Sequence, residues 1–111
     1  AIIRQCGGEA RFTAFVARHG LPRADLSYTA GCLYRSVASL MQVLCAANAC
    51  WLMNEKGAVA TAAQLPITLP NLGARVAAIY AALAPDALAL THAVDLLDAL
   101  VAEIARVVGG F

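Results

Sequence analysis

The sequence predicts an all-α domain, a bundle of four to five antiparallel helices built around one long central helix. Three observations lead there: apolar residues recur at three- and four-residue steps, strand-type alternation is nearly absent, and alanine, the best helix former, is abundant throughout. At 111 residues the chain has the length of a single helical domain, residues 1–111, large enough to bury a core without disulfide or metal staples. Hydrophobic residues make up 61% of it and charged residues 14%, below the usual quarter. One small core does not shelter that much apolar surface, so a neighbouring domain, a second copy or a membrane is expected to cover the rest.

Gly7 and Gly8 precede a first short helix, from about Glu9 to Arg18, in which Phe12, Phe15 and Val16 make one apolar side; Gly20 and Pro22 end it. A second helix begins near Ala24 or Asp25 and runs to about Asn54, roughly 45 Å at 1.5 Å per residue. Leu33, Val37, Leu40, Leu44 and Trp51 form its more apolar face, beside Tyr34, Ala38, Met41, Cys45, Asn48 and Leu52. Gly31 inside it is a place where another backbone can come close. Gly57 is placed as its left-handed cap, with Lys56 near the negative end of the dipole. A short helix from about Ala58 to Gln64 follows, and Pro66 and Pro70 then bracket an extended connector. Asn71 is the expected cap of the next helix, lined by Leu72, Val76, Ile79 and Leu83. Pro85 and Asp86 open the last helix with a first-turn proline and an acid suited to its dipole. Its stripe is Leu90, Val94, Leu97, Val101, Ile104 and Val108, leaving His92, Asp95, Asp98, Glu103 and Arg106 on other faces.

Residues 36–54 carry no charge and are long enough to span a bilayer. Ser36, Ser39, Gln42, Asn48 and Asn54 interrupt the run, and no Lys or Arg cluster flanks it, which favours a buried central helix and no membrane. The net charge is +1 with arginines scattered singly, so no electrostatic footprint for nucleic acid exists. Cys6, Cys32, Cys45 and Cys50 show no C-x-x-C spacing and read as reduced, buried thiols of a cytoplasmic protein. Cys45 and Cys50, five apart, point to different sides of a continuous helix.

The stretch Asn54-Glu55-Lys56-Gly57-Ala58 sets charges at the end of the one long uncharged helix. At helical spacing Glu55 falls in line with Asn48, Met41 and Tyr34, and Lys56 with Ala49, Gln42 and Arg35, two, four and six turns earlier, so Arg35, Gln42, Asn48, Glu55 and Lys56 can form a polar strip that meets a ligand. Arginine and lysine suit phosphate, and a carboxylate can serve as a base. The plainer reading of the same residues is a capped helix end with Asn48 as a satisfied core amide. His92, Asp95 and Asp98 lie three apart and drift around their helix, which fits a solvated face better than a metal site. His19 reads as a helix-end residue. No nucleophile constellation, phosphate loop, dinucleotide fingerprint or zinc-binding H-E-x-x-H occurs, so no catalytic residue and no metal ligand is assigned. Tyr28, Tyr34, Trp51 and Tyr80 read as packing residues.

Three segments carry a family resemblance: residues 23–32, Arg-Ala-Asp-Leu-Ser-Tyr-Thr-Ala-Gly-Cys; Arg35-Ser36-Val37-Ala38 through Gln42-Val43-Leu44 to Asn48; and Asn54-Glu55-Lys56-Gly57-Ala58-Val59 with Leu65-Pro66 and Pro70. Together they resemble the HEPN-like helical C-terminal domain that follows a nucleotidyltransferase domain in a group of bacterial proteins. They cover a little under half of the chain. The resemblance implies an accessory domain that positions the acceptor substrate beside a separate catalytic domain, in cis or in trans. That partner would hold Mg and a nucleoside triphosphate, with no cofactor in this chain, where no Gly-Ser followed by Asp-x-Asp is found. It also implies a fragment of a longer protein. Arg35, Asn48, Asn54, Glu55 and Lys56 are the substrate contacts expected on this reading. The ribonuclease branch of the HEPN class is not matched, because neither His19 nor His92 follows an arginine at the required distance. The alternative is a non-catalytic interaction module, a helical homodimer or other homo-oligomer joined through its uncharged surface. A small membrane-associated helical protein is a third option.

Overall fold

The computed structural model describes residues 1–51 and 56–111. Among them are five α-helices and no strand: α1 (Ile2–Ala17), α2 (Leu26–Ala47), α3 (Ala58–Ala63), α4 (Leu72–Ala81) and α5 (Ala87–Val107), with one 3-10 turn at Arg18–Gly20. The predicted all-α bundle is the observed architecture.

Helix α1 departs most from expectation, since it starts at Ile2 rather than near Glu9 and runs through both glycines. Packing explains the first of them. A Cβ on Gly7 would collide with the ring of Phe111, so the close approach of that ring needs glycine there. The inward face of α1 is Gly7, Ala10, Thr13, Ala14 and Ala17, while Phe12 and Phe15, expected on the apolar side, are 63% and 65% exposed. Small side chains let α1 lie tightly on α2, and the Ser36 hydroxyl donates across the seam to the Ala10 carbonyl oxygen at 2.9 Å.

Helix α2 begins after Asp25, whose carboxylate accepts the Tyr28 N–H at 3.1 Å. Leu33, Val37, Leu40 and Leu44 are buried as predicted, but Trp51 is not, and Gly31 faces open space rather than a neighbouring backbone. The helix ends at Ala47, short of the predicted Asn54. Ala49 turns into the left-handed region with φ 55, the Ala49 N–H reaches the Ala46 carbonyl oxygen at 3.1 Å, and the Cys50 N–H reaches that of Cys45 at 2.9 Å. These two bonds define a Schellman cap. Alanine in that conformation costs about 1–2 kcal/mol, offset by the Asn48 amide. Asn48 accepts the Ile67 N–H at 2.8 Å and donates to the carbonyl oxygens of Ile67 at 2.8 Å and Leu44 at 2.7 Å. A contact 19 residues away therefore stops the helix. Gly57, predicted as the cap of α2, is instead the N-cap of α3, with φ 76.

Asn71 precedes α4 as predicted but is left-handed (φ 59), and its side chain makes no capping bond. Asp86 caps α5 by accepting the N–H groups of Leu88 at 3.0 Å and Ala89 at 3.4 Å; Pro85 lies just outside the helix rather than in its first turn. The α5 stripe from Leu90 to Ile104 is buried as the periodicity requires. Helices α2 and α5 both run antiparallel to α1: Ile3 lies near Ala46 and Gly20 near Thr29, and Arg18 meets Asp95 while Gly7 meets Phe111. The body measures 40 × 24 × 23 Å.

The fully buried large side chains are aliphatic or methionine, with no aromatic ring among them in the described residues. Phe12, Phe15, Trp51 (83% exposed) and Leu88 (84% exposed) lie outside. Helix α2 is long and apolar enough to cross a bilayer, and 56% of its most apolar window is buried inside the bundle.

Candidate functional site

The seam between α1 and α2 carries two adjoining hollows. One, of about 250 Å³, lies among Cys6, Glu9, Tyr34, Arg35, Ser39 and Gln42. The other, of about 480 Å³, lies among Ile2, Ile3, Gln42, Ala46, Cys50 and Trp51. Gln42 borders both, which makes them one groove with a charged end and an apolar end. The three- and four-residue steps from Arg35 through Ser39 and Gln42 to Ala46 put these residues along one side of α2, and Cys50 and Trp51 reach the groove from the turn beyond its end.

At the charged end the Arg35 guanidinium stands 3.6 Å from the Glu9 carboxylate, with the two side chains 68% and 48% exposed. That separation exceeds a hydrogen bond, and water screens the pair, so it contributes little to stability. Arg35 can therefore turn its planar fork of donors toward a carboxylate or phosphate in the groove. Burial first, and the Glu9 charge second, push the Cys6 thiol above its ordinary 9.0. It borders the groove as a neutral thiol at neutral pH.

Of the five expected substrate contacts, Arg35 lies on the groove together with Gln42 of the same predicted strip. Asn48 does not, because both ends of its amide are occupied by the backbone of Leu44 and Ile67. Lys56 is exposed next to the turn that starts α3. Asn54 and Glu55 lie outside the described residues.

The acids of α5 have a use that the sequence did not reveal. Arg18, at the end of α1, donates to Asp95 at 2.8 Å and to Asp98 at 2.5 Å, and these hydrogen bonds raise its pKa. The three-residue spacing of the acids was the visible signal, but a cation more than 70 residues away supplies its meaning. His92 is exposed, and among the described residues no three His, Cys, Asp or Glu side chains converge as a metal site would require. Arg75 of α4 pairs with Glu103 of α5, tying those helices together.

Cys45 and Cys50 correct a further expectation. Because α2 ends at Ala47, they do not diverge on a continuous helix: the chain folds back, and the Cys50 N–H bonds to the Cys45 carbonyl oxygen at 2.9 Å, which sets the two residues side by side. The described residues thus place Arg35 at the charged end of the α1–α2 groove and Cys50 at its apolar end. Comparisons with protein-family models, curated proteins and solved structures give no match to this chain.

Proposed function

We propose that this chain is a non-catalytic helical accessory domain that packs beside a nucleotidyltransferase catalytic domain and presents the α1–α2 groove to the acceptor substrate. The observation that carries the docking part is the outward placement of Phe12, Phe15, Trp51 and Leu88, each more than 60% exposed. Exposed bulky apolar groups in such number on a small bundle favour a companion that covers some of them, with Phe12 and Phe15 together on α1 the natural place for it. Arg35 at the groove supplies a cationic contact for an acidic or phosphorylated acceptor. Transfer chemistry, with Mg and the nucleoside triphosphate, belongs to the partner domain on this reading. The nucleotidyltransferase part rests on the sequence resemblance, and the four free thiols fit a reducing, cytoplasmic setting.

The test is Arg35→Ala in the complete protein that contains the catalytic domain. Losing one charge-assisted contact of about 1.4 kcal/mol should raise the KM for the acceptor roughly tenfold, leaving the KM for the nucleotide unchanged. An unaltered acceptor KM rejects the groove as the acceptor surface. The exposed pair Phe12 and Phe15, on one side of α1, favours a second reading, a homodimer joined through that helix. Sedimentation of the chain separates the two: a concentration-independent monomer removes the homodimer, and a stable dimer abolished by Phe12→Ser with Phe15→Ser supports it.

A further inference from the structure

We propose that Cys45 and Cys50 form an oxidisable dithiol, a thiol-modification site at the end of α2 that small-molecule disulfides of the oxidised glutathione class close into an intramolecular disulfide. This goes beyond the accessory-domain reading and does not depend on it. The geometry comes from the cap of α2. Cys45 stands three residues before the helix-ending Asn48, and Cys50 stands two after it. The Schellman cap binds those two positions to each other through the 2.9 Å bond from the Cys50 N–H to the Cys45 carbonyl oxygen. Side chains at these two places normally meet in a local apolar contact. Here both are free thiols. Cys6 and Cys32 have no thiol five residues away.

The two members differ in access, which orders the chemistry. Cys45 is 1% exposed, and burial first, then the neighbouring Cys50 thiol, pushes its own thiol up to about 11. Cys50 is half-buried and borders the 480 Å³ hollow, so a reagent can reach it. Cys50, as thiolate, attacks one sulfur of the small disulfide; that S–S bond breaks, a mixed disulfide forms on Cys50 Sγ, and one small thiolate leaves and takes up a proton. Cys45 then loses its proton and attacks Cys50 Sγ, and the second small thiol departs. The protein is oxidised by two electrons, the reagent is reduced to two thiols, and the two protons lost by the cysteines are gained by the leaving groups. The product ties the wall of the groove's apolar end to the buried last turn of α2.

The test uses the full chain and its own cleavage map. Trypsin cuts after Arg35 and Lys56, so Cys45 and Cys50 fall in one peptide, residues 36–56, while Cys6 and Cys32 fall in two others. After the folded, reduced chain is incubated with oxidised glutathione and digested without reductant, peptide 36–56 should be lighter by about 2 Da, the mass of two hydrogens, with no glutathione attached. Dithiothreitol should restore its mass. Cys45→Ser should trap the glutathione adduct on Cys50, and Cys50→Ser should leave Cys45 a free thiol. The wild-type peptide alone decides the matter if a variant fails to fold. A peptide 36–56 that stays fully reduced while the Cys6 peptide is modified overturns the proposal. So does a wild-type adduct on Cys50 as persistent as in Cys45→Ser.

Discussion

Replacing Asn48 with alanine tests whether a distant contact, rather than local helix preference, ends α2. The variant loses the two bonds to the Ile67 backbone and the donor to Leu44. The Leu44 carbonyl oxygen still accepts the backbone N–H of residue 48, so the Ile67 pair carries the loss. Each such bond contributes about 0.5–1.5 kcal/mol net. Ile67 is 40% exposed, so water replaces part of what is lost, and a total of about 1–2 kcal/mol results. For a chain of this size that corresponds to a fall in Tm of roughly 4–8 °C, read by far-UV circular dichroism and confirmed by the urea midpoint. Asn48→Asp keeps the acceptor for the Ile67 N–H but turns a negative oxygen toward two carbonyl oxygens, so at neutral pH it should destabilise at least as much as alanine. A Tm for Asn48→Ala within about 1 °C of wild type would refute the reasoning. Asn48 would then be free to contact substrate, as the sequence suggested.

Two further outcomes follow from the caps and the shifted acids. Asp86→Ala should lower stability by about 1 kcal/mol, while Asp86→Asn, which keeps a capping oxygen, should lower it by much less; thermal melts of the pair check this. Alkaline stability should fall from about pH 9 upward, because the fold favours two neutral acids: burial leads in both cases, holding the Cys45 thiol at about 11 against an ordinary 9.0 and the Tyr80 phenol at about 12 against 10.0. Above pH 9 the unfolded chain releases these protons first. Their stabilising contribution is therefore whole below pH 9 and is lost as the pH passes through 11 and 12. Urea midpoints measured from pH 8 to 12 should decline, and Tyr80→Phe should flatten the upper part of the curve; a flat wild-type profile counts against it.

The α5 stripe and Asp86, the acid that opens α5, were legible in the sequence because each is a local device: one apolar face at helical spacing, one acid beside the first free N–H groups. The end of α2 was not. Alanine-rich sequence around residues 46–51 favours more helix, and only Asn48 bonding to Ile67 reveals the stop. The face of α1 was misread for a different reason, since its inward residues were chosen for smallness and its phenylalanines were left outside. Gly7 looked like a helix breaker until Phe111 came to lie on it. In the candidate site, Arg35 and Gln42 were legible as neighbours two turns apart on α2, whereas the Cys45–Cys50 meeting follows from the misplaced helix end. The clasp of Arg18 on Asp95 and Asp98 joins residues that no local pattern relates.

The outward placement of the rings has an optical consequence. With leucine, isoleucine, valine, methionine and alanine filling the interior, that interior is nearly silent to near-ultraviolet light. The single tryptophan, Trp51, emits from the surface, so its spectrum senses residue 51's own surroundings more than the melting of the bundle. A protein that settles over Trp51 would move its emission to the blue while the backbone signal stays still. The chain thus carries a built-in reporter of association, separate from any measure of its folding.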